Sequence, residues 1–177
     1  MDQRGKSGHG RMPCVTFAAI GLSFPAGLVA ANPETVPVQV TFVNPIAINE
    51  VSALQFGSVD QNFASFESVS VAPDSTVTDP ADRVEGGPQA AASLTITATP
   101  GQAITIQVDS IAPGAGYSLT DFSCNYNSGT DAACNGSGYS ETSVASATLN
   151  VGATLTGDGT AVAGPADGSF EVTVVYQ

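Results

Sequence analysis

Two cysteines and a short run of acids are the residues whose types and spacing bear on chemistry. Cys124 and Cys134 lie ten positions apart in Cys-Asn-Tyr-Asn-Ser-Gly-Thr-Asp-Ala-Ala-Cys. A redox pair wants a Cys-x-x-Cys beside a helix. This polar, turn-rich spacing instead predicts a local structural disulfide, worth about 2 to 3 kcal/mol in the chain-entropy picture, enough to pin a hairpin. Asp74, Asp79, Asp82 and Glu85 fall between Pro73 and Pro88. Such hard oxygen ligands are what Ca2+ takes, but the spacing follows no EF-hand or nonapeptide repeat. A solvated acidic surface loop is the expectation, with Ca2+ binding as its rival. Glycoside cleavage needs only two carboxylates about 5 to 10 Å apart. No pair stands out, and sugar grooves usually add aromatic platforms, whereas the chain has no Trp and only Tyr117, Tyr126, Tyr139 and Tyr176. Tyr126 and Tyr139 are expected to pack on the stapled hairpin rather than form an adhesive patch.

The remaining catalytic repertoire fails for want of bases. Of 177 residues, 16 are Asp or Glu and 4 are Lys or Arg. Arg4, Lys6, Arg11 and the lone His9 all precede Cys14. Met1 to Pro13 is a positive region, Cys14 to Val29 is apolar, and Val29-Ala30-Ala31 is a small-residue cleavage site. Residues 1–31 therefore read as a secretory signal peptide. A membrane anchor fits less well, because the apolar run is short of the roughly twenty residues needed and is broken by Pro25. The mature chain, residues 32–177, keeps one base, Arg83, against fifteen acids. It has no Lys and no His. Phosphate neutralisation, and with it nucleic-acid binding, is excluded. So are His-based triads, Schiff bases and His-ligated metals. The chain is expected not to be an enzyme, to need no cofactor, to have no membrane span in its mature form, and to reach the cell surface or the medium through the periplasm.

In the elements that must carry these residues, the apolar positions alternate. Val36, Val38, Val40 and Phe42 form one run; Val69 and Val71, Leu94 to Ala98, Ile104 to Val108, Leu149 to Ala153, and Phe170, Val172, Val174 and Tyr176 form the others. Period two in short runs is the half-buried strand pattern. Turns are expected at Asn44-Pro45, Gly86-Gly87-Pro88, Pro100-Gly101, Pro113-Gly114, Gly157-Asp158-Gly159 and Asp167-Gly168. No helical period emerges, and Ala90 to Ser93 makes one helical turn at most. The expected fold is all-β, an antiparallel β-sandwich of Greek-key, immunoglobulin-like or pilin-like type, in one domain over residues 32–177.

Leu54-Gln55-Phe56-Gly57, the Gly86-Gly87 ahead of Leu94-Thr95-Ile96, Val151-Gly152-Ala153-Thr154-Leu155 and the terminal Phe170 to Tyr176 resemble, in that order, the domain-of-unknown-function 4402 family. The resemblance implies a secreted bacterial β-rich domain and attaches no activity. The C-terminus is also similar to subunits of chaperone-usher fimbriae. Those end in an alternating apolar strand with a penultimate aromatic, here Tyr176, and carry a glycine fourteen residues from the end, here Gly164. They also carry an alternating apolar N-terminal extension, which residues 32–43 resemble. Their disulfide usually joins early strands, whereas Cys124 and Cys134 are late and local.

The likeness implies assembly by strand donation, in which an extended segment of one subunit completes the sheet of the next, while the plainer expectation is that the first and last strands pair within one complete domain. Burying Val36, Val38, Val40 and Phe42 would contribute about 6 to 12 kcal/mol before ordering costs. The expected role is a secreted structural or adhesive surface component, a fimbria-like subunit that forms a homo-oligomer or polymer and is served by a periplasmic chaperone. Its interface would comprise those four residues with Gly164, Phe170, Val172, Val174 and Tyr176. The alternative is a monomeric β-sandwich module that binds a glycan or another ligand.

Overall fold

The structure, a computed structural model, describes residue 35, residues 37–112 and residues 114–177, without the side chains of Ser110 and Ile111. The expected leader and Val36 lie outside the described residues. Thr41–Gln177 form one compact unit, and Met1–Val40 fall in another.

Twelve strands make up the unit Thr41–Gln177: β1 (Ala47–Ser52), β2 (Gln55–Val59), β3 (Ser68–Val71), β4 (Val77–Thr78), β5 (Val84–Ala90), β6 (Ala92–Thr97), β7 (Ala103–Ala112), β8 (Tyr117–Tyr126), β9 (Ala132–Ala133), β10 (Tyr139–Thr142), β11 (Ser146–Gly157) and β12 (Ser169–Tyr176). Every strand pairing is antiparallel, and the described residues contain no helix. The all-β expectation therefore holds. Three sheets result: one of seven strands, the three-stranded β10-β7-β12, and the pair β2-β5.

Strand β11 organises the largest sheet. Along one side it pairs with β8 from Leu149 to Gly157; along the other it pairs first with β6 and then, beyond Val151, with β3. Its sequence explains the choice. Ala147, Leu149, Val151, Ala153 and Leu155 are all buried while Ser146 and Thr148 are exposed, so one face packs and the other meets solvent. Where β11 passes from β6 to β3, the ladder with β8 shifts register between Gly152 and Thr154. A Cβ on Gly152 would collide with the Val71 carbonyl, so only glycine lets the flanking strand come this close.

Leu94 and Ile96 of β6 and Leu149 and Val151 of β11 share one buried cluster with Ile104, Ile106 and Val108 of β7 and Val174 of β12. The seven-stranded and three-stranded sheets thus bury their apolar faces against a common core. Cys124 and Cys134 join it as a disulfide between the end of β8 and the residue after β9, both sulfurs shielded from solvent.

Several local expectations are corrected. Gly86-Gly87-Pro88 is not a turn between elements but the middle of β5, where both glycines take positive φ and the register against β2 slips. Bulged strands use glycine in this way. The stretch from Pro73 to Pro88 is not all surface loop: Pro73 is buried, β4 runs through Val77–Thr78, and β5 starts at Val84. Ala90 to Ser93 makes no helical turn; it closes β5 and opens β6, with Ala91 and Ala92 buried.

Candidate functional site

Seven strands, β1, β2, β4, β5, β9, β10 and β12, pair on one side only among the described residues. β1 pairs only with β6, and β12 pairs only with β7. Between these edges lies an open groove of about 1180 Å³. This exceeds the roughly 300 to 1,000 Å³ of an ordinary small-molecule pocket.

The groove is the part of the interior that the described residues do not fill. Leu94, Leu119 and Leu155 form its floor, Ile48, Leu54 and Phe56 one wall, and Phe170 and Val172 the other. Deeper in the same sheets Ile96, Ile104, Ile106, Val108, Leu149 and Val151 are fully buried, whereas Ile48, Leu54, Phe56, Leu119, Phe170 and Val172 are only half-buried. On β1 the alternation toward the groove runs Ile48, Glu50, Ser52, and the last two are exposed. An inward-facing row left this open lacks a partner layer.

Beyond Val174 on β12, the hydroxyl of Tyr176 accepts a hydrogen bond from the Thr99 N–H at 2.8 Å and donates to the Asn44 carbonyl at 2.8 Å. The Asn44 N–H donates in turn to Thr99 Oγ1 at 2.6 Å. This ring ties the C-terminal end of β12 to the residues just before β1. The chain between β11 and β12 runs along the opening, with Val162 exposed. It is held by the Tyr117 hydroxyl donating to the Ala166 carbonyl at 3.3 Å and by Ala161 lying over Gly116. Burial, with Asp167 nearby, raises the Tyr117 phenol above its ordinary range.

Charge at the groove is of one sign among the described residues: Glu50, Asp60 and Asp167 line it, and no base does. Asp60 is tied to Arg83 at 3.4 Å, and Arg83 reaches Glu67 at 2.6 Å. That guanidinium, with the Ala64 N–H, holds the Glu67 carboxyl below its usual range.

The residues singled out from sequence fall in several places. Phe170 and Val172 line the groove; Val174 is buried in the core; Tyr176 is hydrogen-bonded to Asn44 and Thr99. Gly164 sits not in β12 but on the connecting segment beside the groove, at φ 141° with open space around its missing Cβ. Val38, Val40 and Phe42 belong to no strand and are 87%, 69% and 87% exposed. Asp74 accepts from the Thr76 N–H and Asp79 from the Val84 N–H, each stabilising a local turn. Among the described residues no three acids, histidines or cysteines are placed to hold a metal ion. Tyr126 is buried, and its hydroxyl accepts from the Val144 N–H at 3.2 Å. Tyr139 is half-buried with its hydroxyl enclosed. No helix of the described residues is long and apolar enough to cross a membrane.

Sequence reasoning missed Ile48, Leu119 and the partners of Tyr176. Leu54-x-Phe56 did show alternation, but the glycine at 57 ended the run. Gly57 is required there: at φ 80°, a Cβ would meet Gln89 Nε2 and the Gly86 carbonyl at 2.5 Å.

The family described as "Domain of unknown function (DUF4402)" matches residues 46–176. No curated protein and no solved structure matches the chain.

Proposed function

The chain belongs to the DUF4402 family, and we propose that it is a secreted structural or adhesive surface component, a fimbria-like subunit that assembles by β-strand donation. In this reading the fold is a Greek-key, immunoglobulin-like sandwich short of one edge strand. The observation that carries it is the unfilled groove between the free edges of β1 and β12.

The occupant is residues 36–42 of a second copy. Seven residues of extended chain reach about 23 Å, enough to run the length of an eight-residue strand such as β12 for most of its course. Val38, Val40 and Phe42 alternate and are exposed, so one face of the segment is apolar and available. Residues 36–42 carry no charge, so nothing in the segment opposes the acidic rim of the groove. Elsewhere the excess of acids makes subunits repel, restraining the unplanned edge pairing that free strands invite.

Export through the periplasm is supported by the basic start, the apolar run and the small residues before Asn32, together with the disulfide. A periplasmic chaperone would cover the groove before assembly. A glycan-binding monomer finds less support, since Tyr126 and Tyr139 turn inward and offer no aromatic platform. With neither Lys nor His after residue 11, the groove holds no general base beyond its carboxylates, and we assign it no catalytic role.

Sedimentation velocity on residues 32–177 tests the reading. Oligomers are expected, and deletion of residues 32–43 should leave a folded monomer. A full mature chain that stays monomeric at high concentration would sink the proposal.

A further inference from the structure

We infer that the solvent face of the seven-stranded sheet carries a binding site for one neutral sugar ring of a glycan, in a depression between β3, β4, β8 and β11. The depression shares no lining residue with the groove, so it works whether or not strands are donated.

The sheet itself makes the depression. Along β11, Ala153 and Leu155 are buried, so Thr154 between them faces solvent. Opposite Ala153, β8 carries two residues, Asp121 and Phe122, where its register against β11 shifts, and Asp121 takes φ 48°. Such a bulge re-aims a side chain. Phe122 turns into the core and Asp121 is exposed. The β8–β9 hairpin supplies Asp131, whose Oδ1 accepts from Asn125 Nδ2 at 2.6 Å, and the Cys124–Cys134 disulfide closes that hairpin.

The space enclosed is about 230 Å³. It falls below the roughly 300 to 1,000 Å³ of a drug-sized pocket and suits a single ring. Its lining is amphipathic, as a sugar is. Val71, Pro73 and Ala153, all buried, give an apolar base for the C–H face of the ring, so no aromatic platform is needed. Thr78, Ser123 and the Ser70–Thr154 pair, joined at 2.9 Å, place hydroxyls around it. These groups both donate and accept, as sugar hydroxyls do.

The two carboxylates set the class of sugar. Asp121 Oδ2 accepts from Thr120 Oγ1 at 3.1 Å and Asp131 Oδ1 from Asn125, while the second oxygen of each has no donor among the described residues. A carboxylate only accepts, so the ligand must donate. No base lines the depression, and Arg83 is committed to Asp60 and Glu67. An acidic sugar would therefore meet two like charges without compensation. A neutral sugar meets only acceptors for its hydroxyls. Beyond the depression, Thr95 of β6 pairs with Thr148 of β11 on the same face, giving further uncharged surface for a longer chain of sugars.

Biolayer interferometry of residues 32–177 on immobilised glucan, galactan and mannan, with polygalacturonate as the acidic comparison, tests the site. At least one neutral polysaccharide should bind, and polygalacturonate should not. Asp121→Ala and Asp131→Ala each remove a charged acceptor and should weaken binding roughly tenfold or more. Glu171→Ala, which removes an exposed acid of β12, should leave binding unchanged. Melting curves check that the variants remain folded. The methyl hexoside matching the bound polysaccharide should compete, equally well after deletion of residues 32–43, and a chelator should have no effect. Failure of all three neutral polysaccharides to bind, binding that persists undiminished in both aspartate variants, or binding abolished by the chelator would overturn the inference.

Discussion

Single side chains set how the molecule answers pH and redox conditions. Glu67 is held below its ordinary value of 4.5 chiefly by Arg83. A carboxyl lowered in the folded state stabilises above its unfolded value and loses that contribution as pH falls through the folded one. Glu67→Gln should therefore lower the melting temperature at neutral and alkaline pH, with the difference from the parent shrinking as pH falls below about 4.5. Tyr139 behaves oppositely. Burial, with Glu141 next, pushes its phenol far above the ordinary 10. The unfolded chain ionises first, so the stabilisation is present below pH 10 and is lost above it; Tyr139→Phe should blunt the alkaline loss, read from melting curves between pH 9 and 11. The disulfide is a matter of loop length: it closes ten residues of chain, and replacing both cysteines by serine should cost about 2 to 3 kcal/mol in chemical denaturation.

Among elements, the contrast is between strands buried on a full layer and strands beside the groove. Ile96 of β6 has no exposure, so Ile96→Ala should cost about 2 to 5 kcal/mol in urea unfolding. Val172 of β12 is half-buried and faces open space, so Val172→Ala should cost the monomer about 1 kcal/mol or less and show its larger effect on association. The same contrast governs what the sequence disclosed. Where period two ran unbroken, as in Ile104 to Val108 and Leu149 to Ala153, strands β7 and β11 were legible. β1 was not, because Glu50 and Ser52 occupy inward positions that only an incomplete layer tolerates. β5 was hidden by Gly86-Gly87-Pro88, whose turn chemistry serves a bulge. β8 was hidden as well, its pattern interrupted at Asp121, which takes positive φ. The last strand and its alternation were plain, but the partner of Tyr176 lies 132 positions away, and such pairings leave no local mark.

At the scale of the whole molecule, the four sequence stretches that resemble the family converge on one place. Leu54, Phe56 and Gly57, then Leu94, then Leu155, then Phe170 and Val172 all line the groove. The feature they build is a cavity with apolar walls and an acidic rim, in a chain whose extension presents Val38, Val40 and Phe42 to solvent. The central claim is that the extension of one copy lies in the groove of another. Mixing chains carrying Val40→Cys with chains carrying Val172→Cys, oxidising mildly and mapping the products by mass spectrometry tests it most directly. The account predicts a disulfide between residue 40 of one chain and residue 172 of the other, lost when unlabelled peptide of residues 36–43 is added in excess. Absence of that cross-link in an associating mixture would contradict it.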